Sequence, residues 1–286
     1  MTTPAVADEQ KSAPSIGLAL GSGGAGGLAH IAMLEVFEEL SLRPAAISGS
    51  SIGAIMGALY AAGMDNAAIR ELFIEFADSA LNPFSDITEL GEGASWTDLL
   101  ELDNSGILDA DGFLDFLGER IDAREFSDLE IPLQIVATDY WTGETVVLDE
   151  GDLFQAIKAS MAVPGLFSPV EDGDRLLIDG GVSNPLPWDV FDDVDLVVAI
   201  DVTGVRQPSP DGSPGIAEML FKSFEIMQQS IIARMSAAAP PDIYIKPALE
   251  DVRLLHFDRV DEVLAQAGTA ADELRTGLQD SLAKGQ

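Results

Sequence analysis

The sequence predicts an α/β fold in which a mostly parallel sheet is covered by helices on both faces. Short apolar runs of strand length alternate along the chain with longer segments whose apolar residues recur at helical spacing. Apolar residues make up 47% of the 286 residues, which is enough for a sizeable core. Strands that alternate with helices pair in parallel, and such sheets bind ligands at the carboxyl ends of their strands.

Each predicted element ends at a recognisable signal, such as Gly49 after the second strand, Gly63 after a buried helix, and Pro164 after a later helix. The predicted strands are short and apolar and cover residues 16–20, 45–48, 133–138, 145–148, 175–178, 196–200 and 243–245. The predicted helices have an apolar face or are apolar throughout and cover residues 28–40, 52–62, 65–78, 111–121, 153–161, 216–238 and a final segment from about 260.

Composition divides the chain into three parts. Residues 1–15 are polar and are predicted to be a disordered N-terminal segment. Residues 16–206 hold most of the strands and form the main domain. The stretch 207–215 is rich in Pro and Gly and is predicted to be a linker or loop. It opens the segment 207–286, which we predict to be a C-terminal helical extension that packs on the core.

The charge is strongly acidic and spread along the chain. The 49 Asp and Glu residues outnumber the 15 Lys and Arg residues, which gives a formal net charge of −34. Such a surface repels phosphates, which argues against nucleic acid as a partner. Salt relieves the self-repulsion of so many like charges. We therefore interpret the protein as halophilic, with an ordinary acidic soluble protein as the alternative.

Cysteine and histidine counts exclude several kinds of site. The chain has no Cys, which excludes disulfides, thiolate metal sites and a Cys nucleophile. It has two His residues, His30 and His256, too few for a His-rich metal cluster. We therefore expect neither a metal nor a cofactor.

No export signal or membrane span is predicted. The N-terminal segment lacks an apolar stretch, and the longest apolar run, 52–64, is shorter than the roughly 20 residues of a spanning helix. We expect a cytoplasmic protein whose contact with membranes is peripheral.

A glycine-rich loop, Gly21-Ser22-Gly23-Gly24-Ala25-Gly26, lies between the first strand and the first helix. Its G-x-G-x-x-G pattern matches a dinucleotide site, but the acidic residue that would hold the ribose is missing after the second strand. The alternative is an oxyanion hole, in which glycines let several backbone N–H groups point to one spot. A tight turn for packing needs fewer glycines.

A candidate nucleophile follows the second strand. Gly49-Ser50-Ser51-Ile52-Gly53 has the G-x-S-x-G pattern, with Ser51 at its centre and glycines at Gly49 and Gly53. The pattern alone occurs by chance, but its position between a strand and a helix is typical of a nucleophile elbow. The base is less obvious, because neither His lies at the carboxyl end of a strand. Asp179 does, directly before Gly180 and Gly181, although most Asp-Gly pairs are simply turns.

Taken together, these elements resemble the patatin-like phospholipase family. The order is that of the family, with a glycine-rich loop, then G-x-S-x-G, then Asp-Gly-Gly. The segments 159–170 and 178–187 are also similar to the family, and the likeness extends over about residues 16–203. It implies a three-layer α/β/α fold, a catalytic domain over 16–206, a Ser51–Asp179 dyad, and an oxyanion hole from the amides of Gly23, Gly24, Ala25 and Gly26. One departure is Gly26, where the family usually carries Arg or Lys.

The resemblance implies a serine lipid acyl hydrolase of the phospholipase A, lysophospholipase or esterase type, acting through an acyl-enzyme. Its substrate would be a phospholipid or another lipid ester. Two alternatives remain: a lipid-binding or regulatory protein whose catalysis is weakened at Gly26, and an acyltransferase. The sequence does not define the natural substrate or the oligomeric state.

Overall fold

The computed structural model describes residues 14–78, 110–204 and 216–284, which form eight strands and seven helices. The predicted linker 207–215 and residues 1–13 of the predicted N-terminal segment lie outside this part. Ser15, the last residue of that segment, bonds through both its amide and its hydroxyl to the carboxylate of Asp195.

The strands confirm the prediction with small changes at their ends. They are, in chain order, β1 (Ile16–Leu20), β2 (Ala46–Ser50), β3 (Leu133–Asp139), β4 (Thr145–Leu148), β5 (Val170–Asp172), β6 (Arg175–Asp179), β7 (Leu196–Ile200) and β8 (Ile243–Ile245). Only β5 was not predicted from the sequence, because it is three residues long and two of them are acidic.

The helices also match. They are α1 (Ala29–Glu39), α2 (Ile52–Ala61), α3 (Asn66–Asp78), α4 (Ala110–Gly118), α5 (Leu153–Ser160), α6 (Ile216–Ala238) and α7 (Val260–Lys284). The glycine loop runs into a short 3-10 helix, Gly24–Leu28, before α1 begins. None of these helices combines the length and apolar character that a membrane span requires.

One sheet contains all eight strands. β5 pairs with β6, β6 with β3, β3 with β2, β2 with β1, β1 with β7 and β7 with β8, while β4 also pairs with β3. The pairs that link β3, β2, β1, β7 and β8 are parallel, and those that involve β4, β5 and β6 are antiparallel. The sheet is therefore mostly parallel, with an antiparallel part around the end of β3.

Alternating residues of the central strands separate two apolar cores. Leu18 and Leu20 of β1 face the large core, which is built with α1, α2, α3, α4, α5 and α7. Ala19 faces a smaller core on the opposite side, together with Trp188 and with Ile232 of α6. Because each face of the sheet carries its own helices, the architecture has three layers, as the resemblance implied. The C-terminal segment contributes to all of them through α6, β8 and α7.

Candidate active site

Two turns meet along one edge of β3. Val136 pairs with Ser50 of β2, and the next residue, Ala137, pairs with Asp179 of β6. A strand residue has one neighbour on each side, and β4 pairs with both Val136 and Ala137. β2 and β6 must therefore share the opposite edge, with their carboxyl ends converging. This brings Ser51, which follows β2, next to Asp179.

The turn at Ser51 is strained. Ser51 has φ 54° and ψ −122°, a backbone conformation that residues with a side chain rarely adopt. Glycines on both sides make it feasible, since a Cβ on Gly53 would lie 2.0 Å from the Leu20 carbonyl oxygen. The hydroxyl of Ser160 accepts a hydrogen bond from the Ser51 amide at 2.9 Å and donates one to the Val136 carbonyl. Strain of about 1–3 kcal/mol is thus held in place at a candidate nucleophile.

Asp179 is fully buried and is held at one oxygen. Its Oδ1 accepts a hydrogen bond from the Gly181 amide at 2.7 Å. Its Oδ2 accepts no hydrogen bond of standard geometry from the described residues. Burial raises the pKa of Asp179 to about 7, although interactions with the Ser51 side chain and the Gly181 amide oppose this shift. A carboxylate with this pKa is a far better base near neutral pH than an exposed Asp.

Two glycines keep the Asp-Gly-Gly turn close to its neighbours. A Cβ on Gly180 would lie 2.1 Å from the Val136 carbonyl oxygen and 2.8 Å from the Ser50 hydroxyl. A Cβ on Gly181 would lie 2.9 Å from Asp179 Oδ1. A side chain at either position would therefore force the turn or its neighbours to shift.

The backbone amides of the glycine loop form two groups, those that donate a hydrogen bond within the fold and those that do not. The Ala25 amide donates to the Leu254 carbonyl at 2.8 Å, and the Gly26 amide donates to the Gly23 carbonyl at 3.1 Å. The amides of Gly23 and Gly24 donate to no described residue. Gly24 has φ 55° and is the first residue of the 3-10 helix Gly24–Leu28, which leads into α1. The loop therefore offers two adjacent donors, Gly23 and Gly24, at the start of a helical segment.

A family model for patatin-like phospholipase matches residues 18–192. This chain belongs to the patatin-like phospholipase family. The matched region contains the glycine loop, the Ser51 turn and the Asp179 turn.

Relatives of this patatin-like chain are longer proteins. An uncharacterised NTE family protein of Mycobacterium tuberculosis is 36% identical over 235 residues, covering 79% of this chain and 60% of that protein. A lysophospholipase NTE1 of Pyricularia oryzae is 26% identical over 276 residues, covering 87% of this chain and 18% of that protein. The chain thus spans about 60% of the first relative and far less of the second. Among solved structures, VipD from Legionella pneumophila is 15% identical, with a TM-score of 0.47 over 91% of this chain and 67% of VipD.

The departure at Gly26 has a structural reason. A Cβ at Gly26 would lie 2.6 Å from the Val202 carbonyl oxygen. β7 and the residues after it lie too close to the loop in this patatin-like protein for Arg or Lys. Gly26 is therefore required by the local packing.

Both histidines have contacts outside the Ser51–Asp179 pair. His30 is buried in α1 and its Nε2 donates to the Gly21 carbonyl at 3.0 Å. Burial lowers the pKa of His30 to about 4, so the ring is neutral at pH 7 and supports the glycine loop. His256 Nδ1 contacts Arg259 at 3.2 Å.

An apolar pocket opens at Ser51 and encloses about 490 Å³, counting its mouth. Ser51 is the one polar residue among the described residues that line it. The other lining residues are apolar or glycine: Gly24, Ile52, Ile55, Phe73, Phe76, Phe113, Met161, Val163, Leu166, Phe167, Leu254, Leu255 and Phe257. This chemistry matches a hydrocarbon chain and offers nothing to a charged ligand.

Sequence reasoning did not identify two further groups in the site. Ser160 was noted only as part of the segment 159–170, and its role in fixing the Ser51 amide appears only in the folded chain. Thr138 donates to the Asp179 carbonyl oxygen at 2.9 Å and so helps to hold that turn. Within the described ranges, no group of three or more His, Asp or Glu side chains is arranged to hold a metal ion.

Proposed function

We propose that this protein is a serine lipid acyl hydrolase that uses a Ser51–Asp179 dyad. The observation that carries the proposal is a strained Ser51 that lies beside a buried Asp179 and lines an apolar pocket. A nucleophile, a base with a pKa near 7 and a hydrocarbon-binding surface are the three parts that ester hydrolysis of a lipid requires.

In the first step Ser51 Oγ attacks the ester carbonyl carbon and its proton moves to Asp179 Oδ2. This oxygen is available because Oδ1 is already bonded to the Gly181 amide. Negative charge develops on the carbonyl oxygen, and the Gly23 and Gly24 amides stabilise it. The tetrahedral intermediate then collapses, the ester C–O bond breaks, and the leaving alcohol takes the proton from Asp179.

In the second step water resolves the acyl-enzyme. Asp179 accepts a proton from a water molecule, which attacks the acyl carbon on Ser51. The acyl–Ser51 bond breaks, Ser51 regains its proton from Asp179, and the fatty acid leaves. The acyl chain occupies the apolar pocket throughout, so a fatty acyl ester is preferred over an ester of a charged acid.

Contact with a lipid surface is part of the proposal. Tyr140 and Trp141 are 54% and 72% exposed and pack edge to face at the turn that follows β3. Aromatic rings with a polar end favour the interface of a bilayer. Because the net charge is −34, a zwitterionic or neutral lipid surface is preferred over an anionic one at low salt.

Hydrolysis of a short-chain nitrophenyl ester tests the chemistry, at low and at molar salt, because we interpret the charge as halophilic. We expect activity in the wild type and loss of it in Ser51→Ala and Asp179→Asn. Two matched controls should keep it. Ser48→Ala removes another buried serine of β2, one that donates to the Pro187 carbonyl. Asp139→Asn changes a turn carboxylate that accepts from the Trp141 amide, a bond that Asn can keep.

The outcomes separate the remaining candidates. Folded protein with no hydrolysis above the Ser51→Ala level would contradict the proposal and favour a lipid-binding or regulatory role. New esters formed with added glycerol, faster than fatty acid is released, would favour an acyltransferase.

A further inference from the structure

The long helix α6 carries a buried amide into the site from the opposite side of the sheet. Gln228 is 3% exposed, whereas its neighbours Ile226 and Met227 are more than half exposed. Its Nε2 donates to the hydroxyl of Ser22, in the glycine loop, at 2.9 Å. The residue lies outside the family match, which ends at residue 192.

The same amide also touches the Asp-Gly-Gly turn. A Cβ placed on Gly181 would lie 2.2 Å from Gln228 Nε2, 2.7 Å from Ser22 Oγ and 2.9 Å from Asp179 Oδ1. These three atoms therefore converge on one side of the Gly181 α-carbon. Because Gly181 has no side chain, Gln228 approaches the residue whose amide holds the base.

Burying an amide is costly unless it is hydrogen-bonded, and an apolar side chain of similar size would fill the same space without that cost. The small core that Ile232 of the same helix joins contains apolar side chains such as those of Ala19 and Leu186. A buried glutamine in this layer is thus unfavourable for packing alone. The contacts of Gln228 explain its burial better, because they join the glycine loop to the Asp-Gly-Gly turn, and these two segments lie far apart in the sequence.

We propose that Gln228 is a positioning residue that ties the glycine loop to the Asp-Gly-Gly turn and so fixes the oxyanion donors relative to the base. This inference rests on the proposed function. Gln228 contacts neither the apolar pocket nor the reacting atoms, so it should affect the rate of the chemical step more than the binding of the acyl chain. It would make α6 a part of the active site that the family match does not include.

The test compares Gln228→Met, which keeps the volume, with Gln228→Glu, which keeps the shape and adds a charge. Gln229→Met is the matched control, because Gln229 is next along the same helix and donates to the Gly204 carbonyl at 3.0 Å. We expect Gln228→Met to lower kcat on the order of tenfold with little change in KM. In Gln228→Glu the new carboxylate should raise the pKa of Asp179, moving the acid limb of kcat/KM up by about one pH unit.

Two further measurements separate positioning from stability. Combining Gln228→Met with Ser22→Ala should lower kcat by little more than either change alone, because both break the same bond. The carboxyl carbon of Asp179, followed by NMR, should titrate at higher pH in Gln228→Glu than in the wild type. This readout does not require hydrolysis, so it tests the inference even if the proposed function fails.

The inference is overturned if both Gln228 variants match Gln229→Met in kcat and in the Asp179 titration. It is also overturned if Gln228→Met only lowers the melting temperature while Gln228→Glu leaves the titration and the pH profile unchanged. That result would assign Gln228 a purely structural role.

Discussion

The two turns that meet at β3 are built by different means. The turn at Ser51 is fixed by backbone geometry, with a positive φ, a Ser160 hydrogen bond to its amide, and a glycine on each side. At the Asp179 turn the Gly181 amide holds the carboxylate, the Thr138 hydroxyl holds the backbone carbonyl, and the residue is completely buried. One turn stores strain in the chain, and the other places a carboxylate where its charge is unfavourable.

The difference explains how the proposed dyad would work without histidine. The strained turn gives the hydroxyl its position but does nothing for its acidity. The buried turn raises the pKa of the carboxyl group to about 7, which makes it a suitable proton acceptor at physiological pH. Changes at the Ser51 turn should therefore affect folding and geometry, whereas changes at the Asp179 turn should affect the pH dependence.

The largest effect is expected from Gly53→Ala. The new Cβ would lie 2.0 Å from the Leu20 carbonyl oxygen, so β1 and α2 would be forced apart. We expect loss of activity together with a loss of more than about 3 kcal/mol in the free energy of unfolding. Chemical denaturation followed by circular dichroism measures the second quantity.

Gly57→Ala in the same helix is the matched control. Its Cβ would lie 3.1 Å from side-chain atoms of Ile47 and Leu133, which can shift. The free energy of unfolding should change by less than about 1 kcal/mol, since the gain in helix propensity offsets some crowding. Equal losses of unfolding free energy in Gly53→Ala and Gly57→Ala would show that the close approach of Gly53 to the Leu20 carbonyl does not determine the effect of the substitution.

Asp179→Asn should remove activity while it stabilises the fold at high pH. We expect kcat to fall about 10³-fold or more, because the proton of Ser51 then has no acceptor. In the wild type the pKa of Asp179 is about 7 in the folded protein against 3.8 for an exposed Asp. The folded state therefore binds more protons between these values, and stability falls as pH rises through this window, by up to about 4 kcal/mol.

The neutral Asn variant lacks this loss of stability. Its melting temperature should exceed that of the wild type at pH 8, and the gap should shrink towards pH 4. Parallel melting curves at all pH values would show that the carboxyl group of Asp179 is not perturbed by burial.

The wild-type pH profile should show an acid limb near pH 7. Asp179 accepts a proton only when it is ionised, so kcat/KM should fall about tenfold for each pH unit below its pKa. Initial rates on a soluble ester between pH 5 and 9 measure this. A limb near pH 4 would indicate a base with an ordinary carboxyl pKa.

Ser160→Ala should lower activity less than Gly53→Ala or Asp179→Asn does. It leaves the Ser51 amide without its partner in a buried position, which costs about 1–3 kcal/mol of stability. We expect a modest fall in kcat with no shift in the acid limb, because the environment of Asp179 is unchanged. Ser160→Thr keeps the hydroxyl and should recover part of the activity. If Ser160→Ala shifted the acid limb of the pH profile, the Ser51 turn would also control the pH dependence. That result would contradict the separate roles assigned to the two turns.

Much of the fold follows from local sequence signals. β1, β4, β7, β8 and α6 have the predicted ends, because each is bounded by glycine, proline or polar residues. Asp179 was predicted at the carboxyl end of a strand, as in a parallel sheet. β6 is antiparallel to β3, and Asp179 reaches Ser51 because β6 occupies the part of the β3 edge beyond β2. Local patterns do not encode such a register.

The supporting groups of the site were beyond sequence reasoning. Gln228 lies in α6, and the sequence pattern of this helix does not distinguish it from the other polar residues. Its burial and its contact with the glycine loop therefore could not be predicted. The departure at Gly26 was visible in the sequence, but its structural reason, the close Val202 carbonyl, was not. Both depend on segments that are distant in sequence and meet only in the fold.

The central claim is that Ser51 is the nucleophile and Asp179 its base. Labelling with a long-chain alkyl fluorophosphonate tests it directly, because the reagent bonds to an activated serine whatever the natural substrate is. We predict one adduct, located by peptide mass spectrometry on Ser51, with a labelling rate that rises as pH increases through about 7 and is strongly reduced in Asp179→Asn. An adduct on another residue, or an equal rate in Asp179→Asn, would contradict the account.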